Sequence, residues 1–326
     1  MNNLPASKGC PTTGPCRVVF LDADTLSCGL PFPPELLGQL NYQAYGRTAP
    51  DEIAGRMRDA DILITNKARL TAERLQDAPH LKRILVAAAG TDNVDLSAAQ
   101  ALGIRVHNVP DYCTESVAEH TLASLLALRR HLLTHARAAT DGRWSASPFF
   151  CWHGPRIREV RGSVLGIVGR GRIGRATAQL AQGLGARVIF AERPGRPAAA
   201  DELPLAEVLA KADAISLHLP LTPDTRDLMN AQHLSLMKAD AVLINTGRGA
   251  VVNAQALADA LRAGRLAGAA IDVLDVEPPP PDHPLLAQDI PHLLLTPHVA
   301  WASEAAQQRL AKALVTLVAE HLQAPA

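Results

Sequence analysis

Neither sign of charge is in excess in this chain: thirty-two Lys and Arg residues stand against thirty-two Asp and Glu. Without a whole-chain field, neither nucleic acid nor an acidic membrane surface is drawn to it. Cysteines are few and scattered, at positions 10, 16, 28, 113 and 151, and none forms a Cys-x-x-Cys pair. That spacing argues against a metal site or a disulfide framework and leaves reduced thiols as the expectation. No apolar run approaches the roughly 18 residues that span a bilayer. The opening MNNLPASKGCPTTGPC lacks both the basic start and the apolar centre of a signal peptide. Repeats and low-complexity tracts are also missing. The reading is a soluble cytoplasmic protein of about two domains, with residues 1–16 as a disordered tail.

What is present is an alternation of short apolar runs with helix-compatible segments, centred on VLGIVGRGRIGRATAQLAQGLGARVIFAER, residues 164–193. Here a strand meets Gly169-x-Gly171-x-x-Gly174, a helix follows, and a second strand ends at Glu192, eighteen residues beyond Gly174. Gly169 suits a tight turn, Gly171 a close approach of the backbone to a pyrophosphate, and Gly174 a close helix–strand contact. The helix N-terminus then faces the anion, and the Glu192 carboxylate can accept from a ribose. Together these parts make a dinucleotide-binding fingerprint.

Upstream, RVVFLD, ADILITN, LKRILVAA and GIRVHNV read as strands from Arg17 onward, with helices between them near 50–58 and 72–77. They form an α/β unit of their own. Between two of its strands the turn Ala88-Ala89-Gly90-Thr91-Asp92-Asn93 either exposes backbone N–H groups to a carboxylate or is an ordinary left-handed turn at Gly90. One long helix is expected over Thr114 to Ala139, capped by Thr114 or Ser116 with a Ser116-x-x-Glu119 box. It is apolar on more than one side and so belongs between layers, domains or subunits. Just beyond it, Trp144, Phe149, Phe150 and Trp152 suggest either an interface arm or a small satellite core.

After the glycine turn, DAISLHL, AVLINT, GAAIDVL and HLLLTP bring the strand count of this half to six, and Ser303 to Gln323 closes the chain as an amphipathic helix with Leu310, Leu314, Leu317 and Leu322 on its apolar face. In open parallel sheets, ligands bind outside the carboxyl ends of the strands. Three successive strand ends there carry Arg248, Glu277 and His298. A guanidinium can grip the acid group or polarise the carbonyl of a 2-oxo acid. An imidazole can give the ketone oxygen a proton as hydride reaches its carbon, and a carboxylate on the far ring nitrogen fixes the tautomer and stabilises the imidazolium. Asp272 could bind a nicotinamide carboxamide, or serve as a cap or ion pair. His218 and Pro220 end another strand over the same crevice.

The chain resembles the D-isomer-specific 2-hydroxyacid dehydrogenase family through VAAAGTDNVD, TESVAEHTLASLLAL, GIVGRGRIGRATAQLAQGLGARVI, LHLPLTPDTR, LINTGRGAVVN, AAIDVLDVEP and LLLTPHVAW, and within it the glycerate dehydrogenases, also called hydroxypyruvate reductases. The resemblance implies two doubly wound parallel-sheet domains: a Rossmann domain (111–301) inserted in a smaller flavodoxin-like substrate domain (17–110 plus 302–326). It also implies a homodimer, joined through the 114–152 helix and arm. The family's catalytic residues fall on Arg248, Glu277 and His298. Its cofactor contacts fall on Gly169, Gly171, Arg172, Ile173, Gly174, Glu192, His218, Pro220, Thr225, Thr246, Gly247, Asp272 and Ala300, and its substrate contacts on Ala89, Gly90, Arg248, His298 and Trp301. Gly247 departs from the family's commoner Ala or Ser, and Glu192 stands where Asp is commoner. Because a carboxylate repels a 2′-phosphate, NAD is favoured, with Arg193 and Arg196 keeping NADP as the alternative. Formate dehydrogenases share the fold but pair the catalytic His with Gln, which Glu277 argues against. A methyltransferase would not need these three strand-end residues, and a nucleotide-sensing corepressor of the same fold is the alternative function.

Overall fold

The computed structural model describes residues 14–193, 199 and 201–323. They divide into two compact units, one of the residues up to Cys113 together with those from Ala302 onward, the other Thr114–Trp301.

In the first unit, β1 (Cys16–Phe20), β2 (Leu40–Ala44), β3 (Ile62–Thr65), β4 (Arg83–Val86) and β5 (Arg105–Asn108) form a parallel sheet in the order 2-1-3-4-5, the flavodoxin-like arrangement. The helices α1 (Pro34–Leu37), α2 (Ile53–Met57), α3 (Ala72–Gln76) and α4 (Leu96–Ala101) lie between them in the chain. Cys16 is not in a tail but opens β1 with 1% of its surface exposed. Sequence reading also passed over β2, because LNYQA is a half-exposed edge strand with little apolar content. At the end of β1, the buried Asp22 carboxylate accepts from the N–H groups of Asn66 (2.8 Å), Lys67 (2.6 Å) and Ala68 (3.0 Å), which fixes the loop after β3.

The second unit begins with α5 (Thr114–Arg129) and α6 (Leu132–Thr140). The single helix expected over 114–139 is therefore broken, at His131, whose φ is +47°. The cause is non-local. The Arg129 carbonyl, which would accept from residue 133 in a continuous helix, accepts instead from the Arg158 N–H (2.9 Å), while the Arg129 guanidinium donates to the Glu159 carbonyl. The expected Ser116 cap is also corrected: Ser116 lies inside α5, and its hydroxyl donates to the Ala300 carbonyl (2.7 Å).

Next come β6 (Val164–Val168), α7 (Arg172–Gly183), β7 (Arg187–Ala191), β8 (Glu202–Leu203), α8 (Leu205–Lys211), β9 (Ala214–Leu217), α9 (Ala231–Leu236), β10 (Val242–Asn245), α10 (Ala254–Arg262), β11 (Gly268–Ile271) and β12 (Leu293–Leu295). They build a seven-stranded parallel sheet in the order 12-11-10-9-6-7-8. Its central run is that of a dinucleotide-binding sheet. The extra strand is β8, two residues long and stopped by Pro204, too short for any periodicity to show. The chain returns to the first unit with α11 (Glu304–Gln323). Among the described residues, no helix is long and apolar enough to cross a membrane, and no group of His, Cys, Asp or Glu could hold a metal ion.

The buried stripe of α11 runs through Leu310, Leu314, Val318 and His321, so it drifts away from the expected Leu317 and Leu322. Its partner surface explains the histidine. In the sheet register Arg83 pairs with Arg105 and Leu85 with His107, so these four side chains share one face, and the Arg83 guanidinium donates to the Leu317 carbonyl (3.0 Å). Arg83 Nε, His107 Nε2 and His321 Nε2 are buried there without a hydrogen-bond partner. Burial, helped chiefly by Arg83 and Lys82 and opposed in part by Asp61, lowers the His321 pKa to about 4. The folded state therefore favours neutral His321 more than the unfolded chain does. Its contribution is complete above the unfolded value near 6.5 and is lost as pH falls from there toward 4, on the order of 3 kcal/mol in all. Urea midpoints at pH 7.5 and 4.5 should differ more for the wild type than for His321→Leu. The same pH dependence in both would remove His321 as a cause.

Candidate active site

The glycine turn is set by sterics. Gly169 has φ +109°, and a Cβ on it would collide with the carbonyl of His218, the residue after β9. A Cβ on Gly174 would collide with the Gly169 carbonyl, so the first turn of α7 can seat against β6 only with glycine there. Gly171 differs: nothing lies within 4 Å of where its Cβ would be, and as N-cap of the twelve-residue α7 it offers no side chain to the first-turn N–H groups. An open cradle at a helix N-terminus suits a pyrophosphate, and these residues fit a dinucleotide. Arg172 and Ile173 lie in that first turn. Glu192 and Arg193 follow β7 and are exposed, while Arg196 lies outside the described residues.

Other residues expected around the cofactor line the same sheet ends. Burial lowers the His218 pKa to about 4, so its ring is neutral at ordinary pH, with Nε2 2.9 Å from Ser216 Oγ. Thr225 spends its hydroxyl proton on the Pro220 carbonyl (2.8 Å), closing the loop after β9. Thr246 Oγ1 is 3.2 Å from Thr121 Oγ1 on α5.

Arg248 follows β10 in a turn organised from below by Asn245. That fully buried side chain accepts from the Gly247 N–H (3.0 Å) and donates to the Arg248 carbonyl (3.0 Å). Sequence reading missed Asn245, although a polar residue closing an otherwise apolar strand was the available signal. The Arg248 guanidinium donates to the Gly247 carbonyl (2.9 Å). The next residue, Gly249, touches the backbone of Leu274 so closely that no Cβ would fit. Leu274 in turn donates its N–H to Glu277 Oε1 (2.8 Å). The turn bearing Arg248 and the loop bearing Glu277 thus meet at one backbone segment.

The other Glu277 oxygen, Oε2, lies 2.6 Å from His298 Nδ1. An ionised carboxylate only accepts, so Nδ1 carries the proton and Nε2 is left for a ligand. His298 holds a left-handed backbone, φ +54°, which costs energy in a non-glycine residue unless its surroundings enforce it. They do: its N–H donates to the Asp272 carbonyl (2.8 Å), and its own carbonyl accepts from Trp301 Nε1 (2.9 Å). The buried Asp272 carboxylate accepts from the N–H groups of Val299 (3.0 Å) and Ala300 (2.9 Å) and from the Thr296 hydroxyl. Asp272 thus caps the loop of His298 from beneath, and His120 Nε2 lies 3.8 Å from its Oδ1. Ala89 and Gly90 lie in the first unit, half-buried beyond β4, where the Ala89 carbonyl accepts from Asn108 Nδ2.

Known proteins resemble the chain over most of its length. The family model described as D-isomer specific 2-hydroxyacid dehydrogenase, NAD binding domain, matches residues 122–300. A glycerate dehydrogenase of Methylorubrum extorquens is 41% identical over 303 residues, covering 92% of this chain and 94% of its own. The D-lactate dehydrogenase of Aquifex aeolicus, solved with NAD and lactic acid, superposes with a TM-score of 0.80 at 29% identity, covering 94% of this chain and 95% of its own. An NADPH-dependent glyoxylate/hydroxypyruvate reductase of Sinorhizobium meliloti, solved with NADP and malonate, has a TM-score of 0.76 at 29% identity, covering 92% and 91%.

Proposed function

Since the chain belongs to the D-isomer-specific 2-hydroxyacid dehydrogenase family and is an NAD(P)-dependent oxidoreductase of 2-hydroxy and 2-oxo acids, we propose that it reduces hydroxypyruvate to D-glycerate and glyoxylate to glycolate. Arg248, Glu277 and His298 carry the reaction. The observation behind this reading is the 2.6 Å contact of Glu277 with His298 at the mouths of neighbouring strands, beside the turn that bears Arg248.

Arg248 grips the substrate carboxylate and polarises the adjoining carbonyl. The nicotinamide, when bound, supplies a hydride to the carbonyl carbon. As charge develops on the oxygen, His298, entering the step as the imidazolium with a proton on each ring nitrogen, delivers the Nε2 proton to it and is left neutral, with Nδ1–H still donated to Glu277; oxidation runs the same transfers backward. Glu277 fixes the ring and stabilises its charged form. Asp272 holds the loop that aims it, and Trp301 both anchors that loop and shapes the pocket. The glycine turn, Arg172, Ile173, Thr246 and Glu192 hold the dinucleotide, with the Glu192 carboxylate favouring NAD over NADP. The first unit serves the substrate, with Ala89 and Gly90 assigned to its carboxylate by resemblance alone.

The chain also works as a homodimer through its 114–152 region. Phe149 and Phe150 are 68% and 93% exposed, and Leu132, Leu133 and Trp144 are about half exposed or more. Such a run of bare apolar surface suits a subunit contact. None of the relatives described above supports the corepressor alternative.

The test is a set of 2-oxo acids of increasing size, each assayed by nicotinamide absorbance with NADH and with NADPH, on a preparation whose mass is measured by light scattering. Hydroxypyruvate or glyoxylate with NADH should give the highest kcat/KM, at twice the chain mass. Preference for a bulky acid would refute the substrate assignment, preference for NADPH the role of Glu192, and a single-chain mass the dimer.

A further inference from the structure

We propose that His120 is a positioning residue for the reaction: through Thr296 it keeps the Asp272 carboxylate clamped beneath the loop that carries His298. The inference rests on the reading of His298 as proton donor. It concerns a side chain to which neither the sequence motifs nor the mechanism above gives a role.

The geometry fixes the direction of every bond in the chain of contacts. Asp272 Oδ1 lies 2.5 Å from Thr296 Oγ1 and also accepts from the Val299 N–H, while Oδ2 accepts from the Ala300 N–H. The Thr296 hydroxyl donates to Oδ1, so its one proton is committed there. The hydroxyl is then left with lone pairs alone, and the atom facing them is His120 Nε2, at 3.3 Å. His120 is therefore the donor, in its Nε2–H tautomer, and the order runs from imidazole to hydroxyl to carboxylate to the amides of the loop. When protonated, His120 still donates from the same atom, and its charge sits 3.8 Å from Asp272 Oδ1.

A second contact from the same helix makes this more than a chance neighbour. Ser116, four residues earlier on α5, donates to the Ala300 carbonyl (2.7 Å). Residues four apart share a helix face, so α5 holds the loop at two points, directly at Ala300 and through Thr296 and Asp272 at Val299 and Ala300. The device matters because His298 sits at φ +54°, a conformation that persists only while its neighbours over-determine it. With the donor at position 120 removed, the Thr296 hydroxyl is free to rotate away from Asp272 and the clamp loosens.

Four full-length variants test this: His120→Leu, which removes the donor; His120→Gln, whose amide N–H can replace it; Thr296→Val; and the double variant His120→Leu/Thr296→Val. Amide exchange over residues 296–303, read by mass spectrometry, reports on the clamp whether or not the protein turns over. Exchange there should be about tenfold faster in His120→Leu, within about twofold of wild type in His120→Gln, and no faster in the double variant than in Thr296→Val. On the best 2-oxo acid, kcat should fall about tenfold in His120→Leu with the NADH Kd within about threefold of wild type, and His120→Gln should restore it. Wild-type exchange in His120→Leu, Gln no better than Leu, or independent effects of the two substitutions would each overturn the proposal. Wild-type protein inactive on every 2-oxo acid would instead sink the proposed function and leave the exchange result to decide the clamp.

Discussion

Replacing His298 with Asn is expected to lower kcat on the preferred 2-oxo acid by about a thousandfold, within the range general acid catalysis supplies, while the NADH Kd stays within about twofold. Asn is the informative choice for a backbone reason as well as a chemical one. Position 298 lies at φ +54°, in the left-handed region that Asn tolerates better than most residues. The loop held by Asp272 should therefore survive, and only the transferable proton is lost. Nicotinamide fluorescence gives the binding constant and steady-state assays the turnover. A variant with kcat within tenfold of wild type would remove His298 as the proton donor.

The second large effect is expected at Arg248. Its substitution by Lys preserves the charge but not the planar pair of donors that matches a carboxylate. It also removes the contact by which the guanidinium braces itself on the Gly247 carbonyl. The loss in kcat/KM should be about a hundredfold, equivalent to roughly 2.7 kcal/mol of transition-state binding, and should appear in both KM and kcat because the same group holds the acid and polarises the carbonyl. Unfolding midpoints should stay near wild type, since Asn245 rather than the guanidinium organises the turn. A kcat/KM within threefold of wild type would show that a point charge suffices there.

Much of this site was legible from the chain because its causes are local. The glycines sit at fixed spacing within six residues, and the demand at Gly174 is local, set by the Gly169 carbonyl, although the one at Gly169 comes from His218, just after the neighbouring strand β9. Arg248, Glu277 and His298 stood out because each follows an apolar strand, and strand ends are where an open parallel sheet binds. Misreadings cluster where the local signal was weak or outbid. The strands β2 and β8 are an edge strand with little apolar content and a two-residue pair, so neither produces a pattern. The drift of the α11 stripe to His321 reflects a partner face that carries Arg83, Arg105 and His107 rather than an apolar wall.

Residue order was enough for the fold class and the place of the glycine turn, and it singled out Arg248, Glu277 and His298 as candidates, since periodicity, glycine spacing and strand ends are properties of neighbours along the chain. Packing had to settle the rest. The break at His131 follows from the claim Arg158 makes on the Arg129 carbonyl. The duty of Ser116 comes from Ala300, 184 residues away, and that of Asp272 from Thr296, Val299 and Ala300. A hydrogen bond between distant residues overrides a local preference without leaving any trace in the sequence around either partner.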